Sequence, residues 1–143
     1  MRRTLLALLI AVAPAAAAPQ EAGGLSLDAP ALSVLRASGP GAWLLRAHSF
    51  TIGIAHGPNV PDLDDAEPPR CYAVQRIVLD GQDAVLRSSR ADARLDCPEN
   101  YVSLYLPPAS AGGSALFVWG RSVAFEDIPA MQAVIASIRL ARP

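Results

Sequence analysis

Residues 72–88 read YAVQRIVLDGQDAVLRS, and this stretch decides the fold. Two runs of β-favouring residues, Tyr72 to Leu79 and Gln82 to Ser88, flank Asp80 and Gly81. An Asp-Gly pair in that setting tolerates the backbone angles of a tight two-residue turn, so the stretch is expected to be an antiparallel hairpin. Downstream, Tyr101 to Leu106 alternates. Val102, Leu104 and Leu106 fall on one face and Tyr101, Ser103 and Tyr105 on the other, the period of a strand with one buried face. A loop rich in Pro, Gly and Ser (107–114) separates it from Ala115 to Arg121, a second strand expected to pair antiparallel with the first.

Working outward, Asp127 offers an N-cap with Pro129 in the first turn. Ile128, Met131, Val134, Ile135 and Ile138 follow at helical spacing, giving an amphipathic C-terminal helix that has to cover a sheet. On the other side, Trp43, Leu45, Phe50, Ile52 and Ile54 recur mostly at every second position. They predict one bent strand or two short ones, with His48 and Ser49 at the irregularity. Asp28 as N-cap, Pro30 in the first turn and Leu32, Val34 and Leu35 behind it predict a short helix ending at Ser38 to Gly41. Residues 18–27 read as a flexible tail. Residues 57–70, with five Pro or Gly around Asp62, Asp64, Asp65 and Glu67, read as an exposed loop. The expected fold class is therefore α+β: an antiparallel sheet of four to six strands covered by the C-terminal helix and a short N-terminal helix, in a single domain spanning 28–143.

Three of these features together resemble the small Mog1/PsbP-like domains found among exported bacterial proteins that include immunity proteins. They are the strand His48, Ser49, Phe50, Thr51, Ile52; the hairpin around Asp80 and Gly81; and the closing segment Met131 to Leu140, which ends Ala136, Ser137, Ile138, Arg139, Leu140. The resemblance implies a binding or assembly module rather than an enzyme and transfers no functional residue.

The N-terminus sets the compartment. Arg2 and Arg3 precede an apolar stretch, Leu5 to Ala13, that runs into Ala15 to Ala18, the pattern of a secretory signal peptide over 1–17. The stretch is about half the roughly 20 residues a membrane-spanning helix needs. Cys71 and Cys97 lie too deep in the chain to carry a lipid at the cleavage point. A twin-arginine signal is the alternative reading of Arg2 and Arg3, but the lysine often found after the apolar pair is missing. The expectation is a periplasmic or secreted, soluble protein with neither membrane span nor lipid anchor.

Removing 17 of the 143 residues leaves 126, the size of one domain. All 12 basic residues are arginine, which reads as coding bias; 10 of them remain against 13 acids, a mature charge of −3. That balance argues against nucleic acid and anionic membrane as partners. Two cysteines in an exported chain pair most simply with each other, and the Cys71–Cys97 bridge would close a loop of about 27 residues. The alternative, a redox pair, calls for vicinal cysteines.

Candidate sites are sparse. His48 and His56 could share a zinc ion only with carboxylates from the 62–67 run, and that run could instead hold calcium, though it lacks the ordered spacing of an EF-hand. Solvated side chains are the simpler reading of both, so no cofactor or metal is expected. No serine lies in a Gly-x-Ser-x-Gly turn. Paired carboxylates cannot be located by spacing alone. Tyr101 and Tyr105, on one face of one strand, are candidate anchors for a protein partner, with partial burial as the competing reading. The function expected is an exported, non-enzymatic protein-binding module, of immunity or envelope-assembly type. The alternative is a small exported hydrolase with a loop-assembled site around His48 and His56.

Overall fold

The computed structural model describes residues 17–61 and 69–141; the proposed signal peptide and the acidic run lie outside these residues, save Ala17. Among the described residues ten strands and one α-helix follow in chain order: β1 (Ala18–Ala22), β2 (Leu25–Ala29), β3 (Val34–Gly39), β4 (Ala42–Arg46), β5 (Phe50–Gly57), β6 (Tyr72–Leu79), β7 (Gln82–Ser89), β8 (Asn100–Leu106), β9 (Ala115–Ser122), α1 (Ile128–Ala136) and β10 (Arg139–Leu140). Seven strands form one antiparallel sheet in the order β3-β4-β5-β9-β8-β7-β6, and β1, β2 and β10 form a second, small sheet.

The hairpin behaves as its sequence dictates. Asp80 and Gly81 both take positive φ, 49° and 82°, the signature of a type I′ turn, whose twist matches that of the strands. Register then runs without interruption from Leu79↔Gln82 to Tyr72↔Ser89. The predicted strands at 101–106 and 115–121 pair antiparallel as β8 and β9. The Trp43–Ala55 stretch divides into β4 and β5, with His48 and Ser49 in the turn.

One face of the seven-stranded sheet is the core. Leu45, Ile52, Leu86, Val102, Leu104 and Val118 point to it and meet Met131, Val134 and Ile135 of α1, with Leu25 and Leu27 of β2 closing the side. At about 25 cal/mol per Å² of apolar area, this shared face is the main stabilising contact. Ile138, predicted as helix, lies past the helix end but is fully buried, because the chain turns there into β10 beside β2.

Three expectations are corrected. The N-terminal helix at 28–38 is absent: Asp28 lies within β2, which ends at Ala29, a turn follows, and β3 pairs with β4. Leu25, Leu27 and Ala29 alternate inward, and that period of two prevails over the cap-like Asp28 and Pro30. Leu32, expected on the apolar stripe, is 97% exposed at positive φ in the turn. Residues 18–27 are not a tail, because they supply β1 and most of β2, which bury Leu25 and Leu27. The main sheet has seven strands rather than four to six, since the stretch expected to be the N-terminal helix supplies β3, while the 43–55 stretch forms two short strands, one of the two forms expected for it.

Asp127 also differs from its reading as a capping residue. It sits before α1, but its carboxylate makes no capping bond. It accepts hydrogen bonds from the Ser49 hydroxyl at 2.8 Å and from the Ser122 hydroxyl instead, fastening the helix start to the end of the sheet.

Candidate functional site

The face of the sheet opposite α1 is built by the other half of each alternation. Phe117, Trp119 and Arg121 on β9 stand beside Tyr105, Ser103 and Tyr101 on β8. These stand in turn beside Val85, Arg87 and Ser89 on β7, and Val74 and Arg76 on β6 complete the rows. The Trp119 indole lies over β5, and only a glycine at 53 permits it, since a Cβ there would come within 2.3 Å of the ring. The Arg121 guanidinium stacks near Tyr101 and Trp119, 5.7 and 5.3 Å from their ring centres, and its Nε lies 3.1 Å from Glu99. Arg87 stands 6.0 Å over Tyr72. Such stacking holds arginine and ring in a fixed relation.

Exposure is graded across this face. Phe117 is 3% exposed, Ser103 fully buried and Tyr101 only 9% exposed, whereas Tyr105 is half-buried. Val74 and Val78 on β6 are each 65% exposed and Val85 is 36% exposed. Of the two tyrosines singled out by sequence, Tyr101 thus offers little surface. Tyr105 opens onto the β6–β7 end, where a hollow of about 340 Å³ is lined by Arg76, Asp83, Ala84, Val85, Tyr105 and Pro107. The sequence reading did not single out Val74, Val78 or Val85. Their signal was present: β6 is apolar on both faces, with Ile77 and Leu79 inward and Val74 and Val78 outward, which a strand with one solvated face does not require.

The histidines are not brought together. His48 lies in the turn before β5 and His56 near the far end of that strand, roughly 25 Å apart for eight extended residues. His48 lines a polar hollow of about 620 Å³ at the sheet end, with Ser49, Glu99, Asn100, Arg121 and Ser122. In that hollow both serine hydroxyls donate to Asp127, not to an imidazole. Asn100 is likewise engaged, its Oδ1 accepting the backbone N–H of Ala91. A nucleophilic serine needs a histidine within hydrogen-bond reach, and the described residues do not place one there. Among them there is also no group of three or more His, Cys, Asp or Glu side chains that could hold a metal ion.

Cys71 and Cys97 are joined in a disulfide, with Cα atoms 5.6 Å apart. The bridge ties the start of β6 to the connector before β8. That connector is further shaped by Asp92, whose carboxylate accepts the side-chain Nε (3.3 Å) and backbone N–H (3.0 Å) of Arg94. The side-chain hydrogen bond from Arg94, and then its backbone N–H, hold the Asp92 carboxyl below its ordinary range.

An antiparallel sheet with one helix on one face defines a small α+β domain. It is a PsbP-like fold. The solution structure of the cyanobacterial PsbP protein, CyanoP, from Synechocystis sp. PCC 6803 superposes with a TM-score of 0.50 at 12% sequence identity, over 91% of this chain and 95% of that one. No protein-family profile matches the chain. No curated protein matches it significantly either. Among the described residues no helix is long and apolar enough to cross a membrane.

Proposed function

We propose that this chain is an exported, non-enzymatic protein-binding module of immunity or envelope-assembly type, and that its docking face is the β6–β7 end of the outer sheet surface. The observation that carries the reading is the exposed set of Val74, Val78 and Val85 grouped around Arg76, with the half-buried Tyr105 beside Val85 and Asp83 opposite Val78. Exposed apolar side chains around an arginine, with a tyrosine that has one apolar and one wet end, are a composition enriched at protein interfaces. A disulfide accords with folding in an oxidising compartment, which supports export. The fold carries no function by itself, so the reading rests on the patch.

The test is co-purification from the exported protein fraction of the source cell, comparing the wild-type chain with Val85→Asp and Tyr105→Ala. Loss of the same captured band in both variants, with retention in the distant control Arg36→Ala, is the expected result. Capture that is unchanged in both variants overturns the assignment of this face.

A further inference from the structure

The free edge of β6 carries an inference beyond that face. The turn at Asp80 and Gly81 closes on the pair Leu79↔Gln82, and in a two-residue hairpin that closing pair is hydrogen-bonded. Bonded and non-bonded pairs alternate along an antiparallel ladder. Leu79, Ile77, Gln75 and Ala73 therefore spend their backbone groups on β7, while Val78, Arg76 and Val74 aim theirs away from β7, at the sheet edge. Among the described residues no strand pairs with β6 on that side, the four residues Ala73 to Arg76 are all exposed, and the register with β7 contains no bulge. A long regular edge of this kind is a template for another strand.

The sequence of the edge says which strand. Antiparallel pairing of β6 with a second β6 must match outward-aimed residues with outward-aimed residues. The register centred on Gln75 sets Val74 opposite Arg76 of the second copy, Tyr72 opposite Val78, Ala73 opposite Ile77 and Gln75 opposite Gln75. Aromatic and β-branched side chains then face one another, and no like charges stand directly opposite. The register centred on Arg76 sets two guanidiniums face to face, and the one centred on Val74 shortens the paired stretch to five residues. We propose that β6 is a self-association edge, through which two copies join about a two-fold axis at Gln75 into one continuous fourteen-stranded sheet. The axis is perpendicular to the sheet, so Val74 and Val78 of both copies share one face. This pairing is isologous and closes at two copies.

The test uses the purified protein in sedimentation experiments over a wide concentration range. A reversible dimer is expected. Val74→Glu places a carboxylate opposite Arg76 twice per dimer and should tighten association roughly 2- to 30-fold, while Val74→Lys should weaken it by a similar factor. Cross-linking checks the same register without relying on those variants. The two Gln75 Cα atoms would lie about 4.5 Å apart as a non-hydrogen-bonded pair, within disulfide reach, whereas the two Ala73 Cα atoms would lie roughly 14 Å apart. Under mild oxidation Gln75→Cys should form a covalent dimer and Ala73→Cys should not. A monomer at every concentration, equal responses to Val74→Glu and Val74→Lys, or equal cross-linking at 73 and 75 overturns the proposal. None of these results bears on the capture experiment with Val85 and Tyr105, so the two readings fail separately.

Discussion

The two edges of the seven-stranded sheet are treated in opposite ways. At β3 the register is broken by a bulge between Ala37 and Gly39, Pro40 follows at once, and the Gln20 side chain occupies the backbone. Its Oε1 accepts the Leu35 N–H at 2.9 Å and its Nε2 donates to the Ser33 carbonyl at 2.9 Å. At β6, among the described residues, there is no bulge and no strand paired on the outer side, no proline lies within the strand, and the outward side chains are apolar apart from Arg76. Bulge, proline and side-chain cover are the ordinary protections of a sheet edge. Their presence at one edge and absence at the other mark β6 as the edge available for contact. It adjoins the exposed valines, so the proposed edge and the proposed face lie on one side of the molecule.

The comparison can be broken at each of its supports. The largest effect is expected from Cys71→Ser combined with Cys97→Ser. The chain-entropy estimate for a loop of about 27 residues gives a loss near 3.5 kcal/mol, which denaturant titration measures as a lower unfolding midpoint with a steeper slope, because the unfolded chain without the cross-link exposes more surface. Because the bridge sits at the start of β6, amide exchange should rise in β6 and in the 90–99 connector more than in β3 and β4. A smaller effect should follow Gln20→Ala. Removing two hydrogen bonds to partly buried backbone groups costs about 1–3 kcal/mol, and the Leu35 amide should become exchangeable, making the β3 edge resemble that of β6. The smallest effect is in acid. The folded-state pKa of Asp92 lies below its ordinary value of 3.8, so its contribution is complete above that value and fades as the pH falls through the lower folded value. Asp92 is partly exposed and its partner Arg94 is open to solvent, so global stability should change little. The expected result is local, with NMR shifts of Arg94 and Cys97 amides titrating below pH 3.8 and vanishing in Asp92→Asn.

Much of the fold is written in local patterns. Asp80-Gly81, the alternation at 101–106, the helical spacing from Ile128 to Ile135 and the two cysteines each specify their element with neighbours a few residues away. The stretch 25–39 is different. Asp28 and Pro30 imitate a helix start, while the opposing signal, Leu25, Leu27 and Ala29 at period two, is short and gains its meaning from distant partners, β10 in β2's sheet and α1 against its buried side. Propensity read locally loses to pairing that only the folded chain supplies. The candidate site shows the same limit. Tyr105 was legible as an outward aromatic, but the closure over Tyr101 depends on how the strands line up across the sheet. The open edge of β6 depends on strand order, which no local pattern encodes.

The claim that β6 is bare where β3 is covered is tested most directly by residue-resolved hydrogen exchange on dilute protein. The account predicts that the amides of Val74, Arg76 and Val78 exchange at nearly unprotected rates, while those of Ala73, Gln75 and Ile77, bonded to β7, and of Leu35, bonded to Gln20, are protected. Strong protection of Val74, Arg76 and Val78 in the dilute monomer, or an unprotected Leu35, would contradict it.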